Sequence, residues 1–336
     1  MTVGACAFAI EVQRDDGALV ASVDASVSAC VEDALFHGVQ AGQLPNDGRL
    51  PALRLTPTWH ETQRPAVTTL TIRLDGAPPR HYDRGVFSVQ ARALIQRLLR
   101  ERKVAQGELL HWRVVAREDD DEDAHPCART TRAPFPFEPA ALPWLPRGAF
   151  EICFEARVLR HLRERVRAAR TVERAELLLG RLAHDRERQA LELRVVDALP
   201  LAPGRGGSSS THFAFDPRSF VAARRASEAR GDGVRPVGWH HNHNPCTACL
   251  ETPGCKVNWV FFSDSDREVH TSAFSRPLMV ALVGGKVGHL PATQPGFRLY
   301  GWRNAHVIER SFRVVGAGAS AWSASDGAFR DEEEDG

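Results

Sequence analysis

The sequence predicts a mixed α/β (α+β) protein of two domains, and three observations carry that expectation. At 336 residues the chain is long enough for two sizeable cores. Short stretches alternate apolar and polar residues with the period of a half-buried strand, as in Val67–Leu74 and Phe150–Phe154. Other stretches repeat apolar residues at helical spacing: Ala91, Leu94, Ile95, Leu98 and Leu99 in one, Val158, Leu159, Leu162 and Val166 in another.

Composition narrows the class. Hydrophobic residues make up 43% and charged residues 25%, both globular values. With 43 basic against 42 acidic residues the net charge is +1, so nothing in the charge balance recruits nucleic acid or an anionic membrane. The opening MTVGACAFAIEVQRDD lacks a basic n-region, its apolar run is too short for a signal peptide, and no run approaches the ~20 apolar residues of a membrane span. Three of the seven cysteines fall in one short loop, which reads as reduced, metal-capable thiols in a cytoplasmic protein rather than a secreted disulfide framework.

The elements follow in order. Residues 1–116 form a first domain, with strands expected at Ala7–Val12, Val67–Leu74 and Leu109–Val115 and a helix capped by Ser88. No catalytic constellation stands out in it; His60, His81 and His111 are scattered singly among polar residues. Residues 117–147 read as a linker: the like charges of REDDDED, Arg117–Asp123, cannot pack together, and Ala133–Pro146 is rich in proline. The second domain, 148–315, opens with a strand at Phe150–Phe154 and a helix carrying Val158 to Val166, then returns to strand at Leu191–Val195. Pro203–Ser210 is expected to be a flexible connection, His212–Phe215 a strand and Ser219–Arg230 a helix. Pro277–Val283 and Phe297–Trp302 read as further core strands, and 316–336 as a disordered acidic tail.

Chemistry concentrates in Gly238–His270. Residues i and i+2 of an extended segment point the same way, so His241 and His243 can offer two imidazoles to one metal ion. Asp266, in Ser263-Asp264-Ser265-Asp266, supplies an oxygen as third ligand and leaves a fourth tetrahedral position open, the layout of a catalytic zinc site.

This stretch resembles the metal-binding heart of the JAMM (MPN+, Mov34-type) zinc metallopeptidases, whose pattern is an upstream Glu, then His-x-His, then Ser-x-x-Asp. GWHHNH matches the family's Gly-Trp-Tyr-His-Ser-His, with His240 for Tyr, Asn242 for Ser and Asn244 for the following Pro. Upstream, VERAELLLGRL, Val172–Leu182, is similar to the family's Glu-x-Gly-Gly-x-Leu-x-Gly. Aligning on Leu178 and Gly180 puts Glu173 on the catalytic glutamate, with Ala175 and Glu176 where the family has glycines; Glu176 is the rival in a shifted register. The resemblance implies the cytidine-deaminase-like architecture of JAMM domains, a mixed curved sheet flanked by helices. It implies one catalytic Zn2+ on His241, His243 and Asp266, lowering the pKa of a coordinated water towards ~7. Glu173 would serve as general base and acid, and Ser263 as a donor to the oxyanion.

One departure is large. Nineteen residues separate His243 from Ser263, far more than the family's usual spacing, and they include Cys246, Cys249 and Cys255. These thiols either clamp a second, structural zinc, with His240 or His270 as the nearest fourth ligand, or are unmetallated. Pro245-Cys246-Thr247-Ala248-Cys249 is also half of a zinc-deaminase signature, whose other half has only Cys153-Phe154-Glu155 as a candidate. The resemblance implies an enzyme that cleaves after the C-terminal glycine of a ubiquitin-like protein, by deconjugation or precursor processing. Bacterial relatives work beside ubiquitin-activating-like and conjugating-like proteins, some in antiviral (anti-phage) defence. The alternatives are a non-catalytic MPN-type scaffold or a zinc-dependent deaminase.

Overall fold

A computed structural model describes residues 6–62, 66–118, 150–169, 173–185, 190–208, 213–230, 232–244, 257–286 and 295–317. Most of the expected linker, the three loop cysteines and nearly all of the acidic tail lie outside the described residues. The architecture is mixed α/β. The chain splits into two compact units, one of Met1–Trp144, Ser263–Pro277 and Trp302–Val307, the other of Leu145–Phe262, Leu278–Gly301 and Ile308–Gly336. No helix among the described residues is long and apolar enough to cross a membrane.

The first unit holds two three-stranded antiparallel sheets. In one, β1 (Cys6–Arg14) lies between β2 (Leu19–Asp24) and β6 (Leu110–Glu118). In the other, β4 (Val67–Leu74) lies between β3 (Leu53–Trp59) and β5 (Arg80–Asp83). Helix α1 (Ser28–Gln40) buries Val31, Ala34, Leu35 and Val39, a helical stripe that periodicity alone could have found. Helix α2 (Ser88–Arg100) buries the expected Ala91, Leu94 and Leu98. Its start differs from expectation: Ser88 is the first helical residue and makes no cap. Asp83 instead accepts the Gly85 N–H at 2.7 Å and caps a 3-10 turn, Arg84–Phe87, that leads into the helix. His81 and His111 are exposed and His60 half-buried, and they hydrogen-bond to Thr71, Asp15 and Thr62, the ordinary fate of scattered surface histidines.

The second unit is built on an eight-stranded mixed sheet. Its strands are β7 (Phe150–Glu155), β8 (Ala175–Asp185), β9 (Ala190–Leu201), β12 (Arg235–Asn242), β13 (Val280–Gly285), β14 (Gly296–Arg303), β15 (His306–Arg310) and β16 (Arg313–Val315). They lie in the order β15-β14-β13-β12-β8-β9-β7-β16. Strand β12 runs parallel to β13 and antiparallel to β8, with both neighbours in place along its buried half. Every residue of β13 is buried, as a central strand covered on both faces requires. Helix α3 (Ala156–Ala168) buries Val158, Leu159 and Leu162 in a core with Ile152, Phe154, Leu193, Val195, Val237 and Leu282. Truncating such a leucine to alanine costs about 2–5 kcal/mol.

Two details depart from expectation. Cys153 is buried along with Ile152 and Phe154, because β7 is an interior strand flanked by β9 and β16 rather than a half-exposed one. The stretch expected to be a flexible connection forms β10 (Pro203–Ser208), paired antiparallel with β11 (Phe213–Phe215). Backbone pairing does not depend on side chains, so a glycine-rich run can form a ladder wherever a partner strand is supplied. Helix α4 (Pro217–Ala229) follows with Asp216 as its cap, accepting the Arg218 N–H at 2.9 Å, and Pro217 in its first turn.

Candidate metal centre

The centre is prepared by a glycine. A Cβ on Gly238 would lie 2.0 Å from the Val280 carbonyl oxygen, so only glycine lets β12 lie this close to β13. Beyond it the strand is buried on both faces, and alternation sorts its side chains into two sets. His241 pairs across the ladders with Ala175 and Val283; His240 pairs with Glu176 and Leu282.

On the first face the imidazoles converge. His241 Nε2 and His243 Nε2 stand 2.9 Å apart, with both residues buried. Trp239 stacks on His241 with ring centroids at 4.6 Å, and Phe261 leans on His243 at 4.7 Å. The backbone beyond the strand end is tied down, His243 N–H donating to the Gly284 carbonyl at 2.9 Å. His243 Nδ1 donates to the Trp259 carbonyl at 3.1 Å; a carbonyl only accepts, so Nδ1 carries a proton, and in the neutral ring Nε2 is the nitrogen able to ligate.

Asp266 completes the group. Helix α5 (Asp264–Ala273) starts at Ser263, which closes a capping box: the Ser263 N–H donates to Asp266 Oδ2 at 2.8 Å, and Ser263 Oγ accepts the Asp266 N–H at 3.1 Å. The Ser-x-x-Asp motif is thus a helix start that fixes its own carboxylate. His241, His243 and Asp266 each bring one ligand atom to within 4.8 Å of the others, all three residues buried, and the group could hold a metal ion. The donor set fits one: two imidazoles and a carboxylate suit a zinc-like divalent cation, and two imidazole nitrogens on a tetrahedral ion stand ~3.3 Å apart, within a few tenths of the spacing found.

Glu173 is buried, 5% exposed, and is not a member of that group. Its neighbour Arg174 is bound to the end of β12 twice, the Asn242 N–H donating to the Arg174 carbonyl at 3.2 Å and the Arg174 N–H to Asn242 Oδ1 at 2.8 Å. Glu173 precedes β8 by two residues. Glu176, inside the strand and paired with His240 across the ladder, is occupied: His240 Nδ1 lies 2.7 Å from its Oε2, and Arg165 Nε from α3 donates to its Oε1 at 2.8 Å. Burial pushes the Glu176 carboxyl up, but the His240 bond and the Arg165 guanidinium outweigh it and hold the group below the usual carboxylate range. Removing one partner from such a buried pair costs about 3–5 kcal/mol.

His240, one candidate fourth ligand for the cysteine loop, is a buried partner of Glu176 through its Nδ1. His270, the other candidate, is fully buried in α5, stacked between Phe274 and Trp302, and burial pushes its pKa down to about 3. Cys246, Cys249 and Cys255 lie outside the described residues. The Trp259 carbonyl carries no signature in sequence, and the Arg165–Glu176–His240 chain joins three separate elements.

No protein-family model matches the sequence, and no curated protein matches it. Among solved structures the chain is similar to protein DSY2949 from Desulfitobacterium hafniense, known from a solution structure. The identity is 21%, over 49% of this chain and 92% of that one, with a TM-score of 0.34. A likeness that loose carries no argument about fold or function.

Proposed function

We propose that the protein is a zinc-dependent peptidase or isopeptidase of the JAMM type. The observation that carries this reading is the buried group of His241, His243 and Asp266, its ligand atoms within 4.8 Å, in the order His-x-His then Ser-x-x-Asp. A zinc ion held by these residues supplies Lewis acidity and activates water for attack near neutral pH.

The chain's own residues supply the rest. The Trp259 carbonyl keeps His243 in the tautomer that ligates, and the Ser263 N–H keeps the Asp266 carboxylate from swinging. Glu173, buried and outside the ligand group, takes the proton of the attacking water on a carboxylate oxygen and passes it to the leaving amine. Ser263 Oγ accepts the Asp266 N–H, which leaves its own O–H to donate to the oxyanion as the carbonyl becomes tetrahedral.

The substrate on this reading is the C-terminal glycine of a ubiquitin-like protein, freed from a lysine conjugate or from a precursor. The chain acts in the cytoplasm with ubiquitin-activating-like and conjugating-like partners, in a bacterial defence setting. Cys246, Cys249 and Cys255 hold a second zinc on the same reading. The test is cleavage of ubiquitin-like proteins carrying a C-terminal extension or a lysine conjugate, read by the mass of the product. Cleavage after the terminal glycine, stopped by a chelator and restored by zinc, is expected. Undiminished cleavage by metal-free protein or by Asp266→Ala would overturn the mechanism.

A further inference from the structure

We propose that Glu176 is a positioning residue for the metal centre, holding through His240 the end of β12 that carries His241 and leads into His243. The inference rests on reading those two histidines, with Asp266, as metal ligands.

The contacts form one buried line through the second unit. Arg165 Nε donates to Glu176 Oε1 at 2.8 Å, and Glu176 Oε2 lies 2.7 Å from His240 Nδ1. Glu176 and His240 side chains are each 1% exposed, so no water competes for these bonds. The His240 ring in turn lies over Gly284: a Cβ built there would fall 2.9 Å from His240 Nε2, 2.9 Å from Phe297 and 2.8 Å from Val166. Gly284 is the residue whose carbonyl holds the His243 N–H. The line therefore reaches both ligands, His241 as the next residue in the strand and His243 through Gly284.

A purely structural explanation accounts less well for the choice of residues. An all-apolar filling of this space would support a central strand without burying a carboxylate, and such replacements are often neutral or stabilising. What a directional chain adds is a fixed rotation and height of β12 against β8, and a metal site is sensitive to shifts of that kind.

The test is cobalt(II) titration of the purified full-length protein, read by visible absorption, alongside thermal unfolding of the metal-free form. Thiolate charge-transfer bands separate any cobalt on the cysteine loop from cobalt on the histidine site. Wild-type protein that binds no cobalt at the histidine site would sink the metal reading itself. If wild type binds, Glu176→Ala is expected to weaken binding by about 10–100-fold and to alter the absorption band, as loss of a residue orienting a ligand does. Glu176→Gln, which keeps the shape and one bond to each neighbour, is expected to recover most of the affinity. A Glu176→Ala protein that melts lower yet binds cobalt with wild-type affinity and spectrum would overturn the proposal. Should that variant not fold, Arg165→Met decides, since the Arg165 side chain is 31% exposed and its loss leaves the core filled. Weaker cobalt binding supports the line; unchanged binding overturns it.

Discussion

Three histidines of one short segment, His240, His241 and His243, are buried to nearly the same degree yet sit in opposite chemical situations. His240 faces a carboxylate that is itself held by an arginine, so this face is closed on its Nδ1 side, while His240 Nε2 is buried without a hydrogen-bond partner among the described residues. His241 and His243 face each other, nitrogen to nitrogen, with a second carboxylate within reach of both. Residue type and burial are the same on the two faces of β12; the partner decides the role. A histidine locked to Glu176 has its ring committed to the fold. Paired imidazoles with Asp266 nearby concentrate lone pairs where a cation can bind.

The sharpest way to break this contrast is to remove a ligand from the open face. His241→Ala and Asp266→Ala are each expected to lose both bound zinc and hydrolysis, measured by elemental analysis and product mass. Asp266→Ala should also lower the melting temperature, because the capping box of α5 goes with it, a loss of about 1 kcal/mol. Next in size is the contrast between the two carboxylates. Glu173→Gln is expected to reduce kcat by about 10²–10⁴ with zinc content unchanged. If Glu176→Gln were the variant with intact zinc and no turnover, the assignment of the two faces would be reversed. Ser263→Ala follows, with kcat down by about 10²–10³ from the lost oxyanion donor.

The smallest effects are on stability and separate the Glu176 chain from His270, whose titration is governed by burial. Glu176 titrates below its ordinary range in the folded state, so its contribution is present above about pH 4.3 and is lost as the pH falls through its folded value. Glu176→Gln should flatten that acid limb in denaturation series. His270 is the contrast. Its pKa falls from 6.5 unfolded to about 3 folded, so stability is full above pH 6.5 and drains away between there and pH 3. The slope is up to ~1.4 kcal/mol per pH unit. His270→Leu should remove the dependence in that window and leave stability at pH 8 little changed.

The open face was legible in the sequence because its parts are local. His-x-His needs only a strand, and Ser-x-x-Asp needs only a helix start, so spacing carries the geometry. The closed face was not legible. Glu176 looked like a register ambiguity beside Glu173, and only the pairing of β8 with β12 puts Glu176 against His240. Arg165 looked like one more arginine on the polar face of a helix, and its partner depends on how α3 packs. The mixed α/β class followed from periodicity, and so did helix α2. Strand β11 was expected, but its partner β10 was not, since a glycine-rich strand leaves no side-chain pattern. The charged run after β6 was expected to begin the linker at Arg117. Pairing of Cys6 with Glu118 instead carries the strand through its first two residues.

The central claim is that a metal ion sits among His241, His243 and Asp266. Anomalous X-ray diffraction at the zinc edge, on crystals grown with zinc, tests it directly. The account predicts a peak within bonding distance, ~2.0–2.2 Å, of His241 Nε2, His243 Nε2 and an Asp266 oxygen. Crystals that show zinc elsewhere, with His241 and His243 still hydrogen-bonded to each other and no peak between them, would contradict it.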